Sequence, residues 1–353
     1  MKLEREALFW IAAFVFLVLC IWVLGGILLP FVVGTALAYL FNPVANRLQR
    51  YGMPRVVAAF VIIGIFVLAF VMLVLVFAPI IGSQLVSFIQ NVPGYVQRLQ
   101  ALLAESNSPW LQRIGAEGLV QDRTIGDLVS QGMGWLTTFI NSLWSGGRTL
   151  ISIFSLAVVT PVVAFYLICD WNRMVGVVDS WIPLPYRPTV HELGREIDLA
   201  IAGFIRGQSA VCLLLGSFYA VSLSLVGLNF GLLIGLVAGV ITFIPYVGSM
   251  TGLILSVGVA VAQFWPEWTP IVIVFAIFMI GQFIEGNILA PKLVGESVGL
   301  HPVWVIFAMF AFGYMFGFVG LLLAVPLAAA VRVIASFFLR RYQDSALYTG
   351  DRT

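Results

Sequence analysis

Three polar side chains stand close together near the end of an apolar stretch: Gln282, Glu285 and Asn287. Gln282 and Glu285 are three residues apart, so they share one face of a helix. A carboxylate at the centre of a membrane helix costs about 2.5–3.5 kcal/mol, which favours a role in handling something polar. Gly286 and Pro291 predict that the helix ends here, because proline lacks a backbone donor and clashes with the preceding turn. The alternative is a Glu285 that reaches the membrane surface and is solvated there.

A second helix break lies in the segment TFIPYVGS, residues 242–249. Pro245 and Gly248 disrupt the helix and free backbone carbonyls, while hydroxyl groups come from Thr242, Tyr246 and Ser249. Broken helices of this kind expose backbone to substrates and ions in transporters. We therefore predict that both breaks line a pathway for a small polar solute or an ion, although this segment could equally be a simple turn between two helices.

Asp170 and Arg206 are two further charged residues at the ends of apolar segments. Their positions predict an ion pair near the cytoplasmic face of the membrane. Such a pair is typical of a structural role rather than of transport.

Other kinds of chemistry are excluded by the motifs that the sequence lacks. It has no GxxxxGK phosphate loop and no GxSxG, and the HELGR at His191 lacks the second histidine of a zinc protease. The three cysteines have no metal-ligand spacing. A net charge of +2 without a basic stripe gives no sign of a nucleic-acid partner. We predict a protein that is not an enzyme and that needs neither a cofactor nor a metal site.

The composition predicts a protein dissolved in lipid. Hydrophobic residues make up 61% of the chain and charged residues 10%, against about 45–50% and about 25% in soluble domains. A spanning helix needs about 20 apolar residues, and no cleavage site follows the first apolar stretch, so we interpret it as an uncleaved helix. Ten segments approach the required length: Leu8–Leu24, Ile27–Phe41, Val56–Ile81, Leu150–Ile168, Ala210–Val226, Gly231–Ile244, Met250–Phe264, Ile271–Ile284, Val303–Phe316 and Val319–Phe338.

The segments between these runs divide the chain. Gly25-Gly26 is expected to form a tight turn, and Asn42-Pro43 to end the second helix. Arginines cluster in the following loop, which predicts a cytoplasmic loop and cytoplasmic N- and C-termini. The predicted regions are N-terminal transmembrane helices (1–81), an external amphipathic helical segment (82–148), one spanning helix (149–168), a cytoplasmic connector with an interfacial amphipathic helix at 191–206 (169–208), a C-terminal transmembrane transport region (209–338) and a cytoplasmic tail (339–353). The helix at 191–206 could equally be a surface helix packed on other parts of the protein.

Glycine spacing adds two expectations. Gly231, Gly235 and Gly239 form overlapping GxxxG motifs, which let membrane helices approach closely. The run NFGLLIG at residues 229–235 also resembles GFVGLLL at 317–323. Transporters often contain internal repeats, but glycine- and leucine-rich helices also resemble one another by chance.

Four stretches together resemble a known family, the autoinducer-2 exporter (AI-2E) family of bacterial membrane proteins, including its permease-like members. A cysteine at position 169, where the family usually has lysine, is a small departure. The stretches, in chain order, are PFVVGTALAYLFNP (30–43), YLICD (166–170), FIRGQ (204–208) and the C-terminal run from LVGLN (225–229) through IPYVG (244–248) and EGNILAPK (285–292) to LHP (300–302).

The resemblance implies an all-α polytopic protein of the bacterial inner membrane with about eight transmembrane helices. The ten segments reduce to eight if residues 231–264 form a re-entrant hairpin. Short extramembrane helices complete the expected fold. The resemblance also implies a homopentamer with a transport path in each protomer and a domain that moves as an elevator. Family members are credited with export of autoinducer-2, and others with exchange of sodium or lithium for protons.

Three functions remain open from the sequence. The first is a secondary transporter that exports a small polar solute such as autoinducer-2, using hydrogen-bonding groups such as Gln282, Asn287 and Tyr246. The second is a monovalent cation/proton antiporter in which Glu285 alternates between proton and metal ion. The third is a non-transporting membrane scaffold that binds a partner through residues 82–148.

Overall fold

The computed structural model describes residues 25–105, 147–294, 299–345 and 348. Regular structure among these residues is helical, without a strand, as predicted for an all-α membrane protein. Seven helical stretches of the described part are long and apolar enough to cross a membrane. The predicted first span and most of the predicted external segment lie outside the described residues.

Helix α1 is Gly25–Arg50, and it corrects two predicted boundaries. The expected turn at Gly25-Gly26 is instead the start of the helix, and the expected end at Asn42-Pro43 lies inside it. A proline removes one backbone hydrogen bond, and membrane helices accept this loss where a neighbouring group pairs with the freed carbonyl. Pro43 has such a compensating group, as the functional site below shows.

Helix α2, Arg55–Glu105, also continues past a predicted end. We expected the span to stop at Ile81, but the helix continues to Glu105 and is 51 residues long in all. At about 1.5 Å per residue it is roughly 77 Å long, whereas the hydrocarbon core is about 30 Å thick. A helix of this length must extend beyond the membrane. It does not end after Ile81, because a single glycine such as Gly82 weakens a helix without ending it.

Helices α3, Gly147–Ser180, and α4, Arg187–Leu225, are joined by a short connector that includes a 3₁₀ turn at Leu184–Tyr186. The predicted fourth span, Leu150–Ile168, lies within α3, which continues to Ser180. The predicted interfacial helix at 191–206 is the first half of α4 and is continuous with the following span. Its two faces agree with the prediction: Phe204 and Ile205 are buried, and Glu192 is exposed.

Two compact units divide the chain, and each is described by itself. Unit 1 comprises residues 1–67, 155–208 and 290–353, and unit 2 comprises residues 68–154 and 209–289. The core of unit 1 is rich in alanine, which lets membrane helices approach closely. Its fully or nearly buried members include Ala38, Ala45, Ala59, Ile62, Ala164 and Ile168.

Arg55 crosslinks the helices of unit 1. Its Nε donates to the carbonyl oxygen of Ile168 at 2.6 Å, and its Nη2 donates to Oδ1 of Asn42 at 3.2 Å. The start of α2 is thereby joined to both α1 and α3. Arg55, one of the three arginines (Arg47, Arg50 and Arg55) on which the prediction of a cytoplasmic loop rests, is therefore also a packing residue.

Unit 2 is built around the second half of α4 together with α5 (Gly231–Ile241), α6 (Val247–Phe264) and α7 (Trp268–Ile284). The GxxxG prediction is confirmed, since a side chain at Gly235 would collide with the backbone of Ala220, and one at Gly239 with that of Gly216. Eleven residues make α5 only about 17 Å long, too short to cross the hydrocarbon core alone. This length favours a re-entrant path for α5, whereas α6 is one of the seven helices long and apolar enough to cross a membrane.

Helix α8, Pro302–Gln343, is interrupted at Gly317, where φ is 60° and ψ is −138°. A side chain at Gly320 would collide with the carbonyl of Phe312, so the two arms fold back on each other. This confirms the predicted division between Phe316 and Val319. The similar run at 229–235 marks a reversal of the same kind: Gly231 lies against Leu223, again eight residues earlier.

Candidate functional site

The segment after α7 does not end the helix but changes its winding. Residues Glu285–Val294 form a π-helix, with Pro291 inside it, so the predicted helix end at Gly286 is wrong. A π-helix pairs each donor with the carbonyl five residues earlier, and such turns are frequent at functional sites. The wider turn keeps the chain helical where an α-helix would meet the proline ring. Glu285 is the first residue of this wider turn.

Gln282 and Glu285 are brought together as their spacing predicted. The side-chain Nε2 of Gln282 donates to Oε2 of Glu285 at 2.8 Å, and both side chains are partly buried. None of the ion pairs between described residues includes Glu285. The carboxylate is therefore stabilised by a neutral amide, which leaves room for a proton, a cation or a hydroxyl group as a further partner.

Two residues of α4, Cys212 and Tyr219, face this pair, and the sequence analysis missed both. Each lies within electrostatic reach of Glu285. The Tyr219 ring stacks on Phe278 of α7 with ring centroids 4.4 Å apart and planes 15° apart. The seven-residue spacing from 212 to 219 puts both on one helix face. That spacing was the available signal, but a tyrosine in an apolar helix ordinarily indicates packing alone.

The remaining predicted pathway residues are engaged within their own turns. Thr242 and Ser249 are buried, and their hydroxyls donate to the carbonyls of Ala238 (2.8 Å) and Tyr246 (3.4 Å). Tyr246 has φ 66° and an exposed side chain, and Pro245 lies beside it in the same turn. These contacts make the 242–249 segment a tight reversal between α5 and α6.

Asn287, the third polar residue of the first predicted break, turns away from Glu285. Its side chain is exposed and donates from Nδ2 to the carbonyl oxygen of Phe283 at 3.0 Å. The two-residue offset from Glu285 explains this, because residues two apart lie on different helix faces.

The predicted ion pair between Asp170 and Arg206 is wrong. Arg206 instead donates from Nε to the carbonyl oxygen of Tyr39 at 2.9 Å, and none of the ion pairs within the described part of the chain includes Asp170. In a regular helix the Tyr39 carbonyl would accept from the N–H of residue 43, but that residue is proline. Arg206 therefore replaces the missing donor, which explains how α1 continues through Pro43.

The carboxylate of Asp198 lies beside Tyr39 and Arg206 in unit 1. The Tyr39 hydroxyl donates to Oδ1 of Asp198 at 2.8 Å, so one tyrosine contacts α4 through both its side chain and its carbonyl. Trp171 meets the Tyr39 ring edge-on, with centroids 6.0 Å apart. These groups line a small cavity of about 60 Å³, together with Thr35 and Asn42.

Comparison with known proteins places these features in a family. The model of the AI-2E family of transporters matches residues 11–340 of the chain. YrrI of Bacillus subtilis (strain 168), whose name classes it as a transport protein, is 30% identical over 321 residues, which cover 90% of this chain and 88% of YrrI.

Two proteins of Escherichia coli (strain K12) are also similar over most of their length. PerM, whose name classes it as a permease, is 30% identical over 312 residues, covering 88% of this chain and 87% of PerM. TqsA, named an AI-2 transport protein, is 24% identical over 307 residues, covering 87% of this chain and 85% of TqsA. With a family match across nearly the whole chain and seven described helices that are long and apolar enough to cross a membrane, this multi-pass membrane protein belongs to the AI-2E family of transporters.

Proposed function

We propose that this protein is a secondary transporter that exports a small polar solute, with autoinducer-2 as the first candidate. The observation that carries the proposal is the Gln282–Glu285 pair at the point where α7 changes into a π-helix. Membership of a transporter family and the name of the relative TqsA support it. A polar pair of this kind in an apolar helix is the typical mark of a substrate or ion pathway.

The chemistry of the pair suits a hydroxylated solute. Glu285 accepts hydrogen bonds, and the Gln282 amide both donates and accepts. A solute hydroxyl also does both, so it can replace the bond between Gln282 and Glu285 without leaving either group unsatisfied. The wider turn that begins at Glu285 gives this part of the helix a second way of pairing its backbone, which allows the carboxylate to move while the solute is released.

Cation/proton antiport is the second candidate, favoured by one specific feature of the site. Glu285 is a partly buried carboxylate whose hydrogen-bond partner is the neutral Gln282 amide, and no ion pair among the described residues neutralises it. A carboxylate in this situation can hold either a proton or a monovalent cation. Antiport would then require that the two compete for Glu285 and that the site faces each side of the membrane in turn.

Flux through sealed proteoliposomes separates these functions. In the first arm, vesicles are loaded with autoinducer-2, and its release is compared for the wild type, Glu285→Gln and the double variant Gln282→Ala, Asn287→Ala. We expect Glu285→Gln to reduce release at least 100-fold. Export by the double variant at the wild-type rate would contradict the assignment of this site.

In the second arm, a sodium or lithium gradient is imposed, and the internal pH is followed with a dye. Cation-dependent proton flux that disappears in Glu285→Gln would establish antiport and replace the first proposal. Absence of both fluxes in the wild type would contradict both transport functions for these substrates.

A further inference from the structure

The hydroxyl of Tyr219 is a buried polar group without a partner. The side chain is 0% exposed, and its oxygen has no hydrogen bond of acceptable geometry to any described residue, although it lies near the Gln282 amide. An unsatisfied buried hydroxyl costs about 1–3 kcal/mol. A phenylalanine would fill the same space and stack on Phe278 equally well without that cost. Packing therefore explains the ring and does not explain the oxygen.

The space occupied by this hydroxyl depends on a glycine of α7. A side chain at Gly281 would collide with the hydroxyl oxygen and the adjacent ring carbons of Tyr219. Gly281 is itself buried, and its neighbour in sequence is Gln282. The helix backbone thus comes close to the phenol at the turn that also carries the polar pair.

The unpartnered hydroxyl belongs to the same cluster as the proposed site. Glu285 lies within electrostatic reach of Tyr219, and the Gln282 amide between them is held by the carboxylate at 2.8 Å. The cluster therefore offers a phenol donor, an amide and a carboxylate acceptor along one face of the α4–α7 contact. Of these three groups, the Tyr219 hydroxyl is the one without an acceptor among the described residues.

We propose that Tyr219 is a solute-binding residue, whose hydroxyl donates to an oxygen of a neutral, polyhydroxylated solute while Gln282 and Glu285 bind its other hydroxyls. This inference rests on the proposed export function and specifies the class of solute. Because the hydroxyl is completely buried, the solute reaches it only when the contact between α4 and α7 opens.

The test is the substitution Tyr219→Phe, which removes one oxygen and keeps the ring. With autoinducer-2 in proteoliposomes, we expect the concentration for half-maximal export to rise about tenfold, as the loss of one hydrogen bond predicts. The melting temperature of the purified protein should stay the same or rise, because an unsatisfied group is removed. Tyr314→Phe is the matched control, since Tyr314 is 95% exposed, and it should change neither quantity.

The outcomes distinguish this inference from the function on which it rests. If the wild type exports autoinducer-2 and Tyr219→Phe exports it with the same concentration dependence, Tyr219 does not bind solute and the export function stands. A lower melting temperature with unchanged export would make the hydroxyl structural and also overturn the inference. If the wild type neither exports nor binds autoinducer-2, the proposed function fails for this solute, and the role of Tyr219 fails with it.

Discussion

Each unit of this protein places a tyrosine near a carboxylate among apolar helices, but the two arrangements differ in completeness. In unit 1, the Tyr39 hydroxyl donates to Asp198, and the Tyr39 carbonyl accepts from Arg206. In unit 2, the Tyr219 hydroxyl has no hydrogen-bond partner among the described residues, and Glu285 accepts a hydrogen bond from Gln282.

The difference separates a structural network from a binding site. Buried polar groups are almost always hydrogen-bonded, and a satisfied network rigidifies the elements that it joins. The Tyr39 network joins α1 to α4 and needs nothing further to be stable. The Tyr219 cluster has a donor without a partner among the described residues, which is costly while it stays buried and becomes useful when a solute accepts from it.

The largest expected effect comes from truncating the two carboxylates in the same way. Asp198→Ala should destabilise the protein by about 1–3 kcal/mol, because it leaves the Tyr39 hydroxyl unsatisfied, and should change transport per folded molecule less than about threefold. Glu285→Ala likewise leaves a donor, the Gln282 amide, without its hydrogen bond and should cost stability no more than Asp198→Ala, but it should reduce transport at least 100-fold. Proteoliposome flux and thermal unfolding of the same preparations measure both.

This pair of variants can also break the comparison. If Asp198→Ala abolishes transport in a protein that folds normally, the unit 1 network takes part in transport and is not merely structural. If Glu285→Ala unfolds the protein, the Gln282–Glu285 pair is a packing element, and the site assignment loses its basis.

The positions of the helices were predictable because hydropathy determines them, whereas several helix ends were not. Pro43 should have ended α1, and it does not, because Arg206 replaces the donor that proline lacks. That compensation comes from a residue 163 positions away in the sequence, so no local pattern contains it. Gly317 was predictable as a division, because glycine readily adopts the positive φ that the reversal requires.

The candidate site was likewise predictable only in its local contacts, and not in the contacts between helices. Gln282 and Glu285 lie on one helix, so their spacing alone predicts that they meet. Tyr219 and Cys212 join them only through the packing of α4 against α7, which sequence spacing does not specify. The same reason explains the wrong partner for Arg206, since charge alone suggested Asp170, whereas Arg206 donates to the Tyr39 carbonyl that Pro43 leaves without a backbone donor.

A smaller effect should follow from crowding the unpartnered hydroxyl. Gly281→Ala places a methyl group against the Tyr219 phenol, and overpacking of this kind costs about 1–3 kcal/mol. We expect transport to fall about tenfold, because the phenol is displaced from Gln282 and Glu285. Flux and thermal stability, measured on purified protein, give the two quantities.

Gly286→Ala is the matched control for this substitution. Gly286 lies five residues further along, is exposed and has open space around its Cα, so an added methyl group should leave transport within about twofold of the wild type. Normal transport by Gly281→Ala would show that the position of the phenol does not matter. The cluster in unit 2 would then be as passive as the network in unit 1.

The smallest expected effect tests whether Arg206 replaces the backbone donor that Pro43 lacks. Arg206→Met removes the donor to the Tyr39 carbonyl and should destabilise the protein by about 1–3 kcal/mol. Pro43→Ala restores a backbone N–H to that same carbonyl. In the Pro43→Ala background, Arg206→Met should therefore cost about 1 kcal/mol less, a coupling that a double-mutant cycle of unfolding free energies measures.

Pro30→Ala provides the control for this cycle, because Pro30 also lies inside α1 but frees the carbonyl of residue 26. Its effect should add to that of Arg206→Met without coupling. Equal coupling to both prolines would mean that Arg206 stabilises α1 in general and does not replace the donor missing at Pro43. Coupling to Pro43 alone, with transport changed less than about threefold, would show that Arg206 completes the backbone of α1 and that this contact of unit 1 is structural.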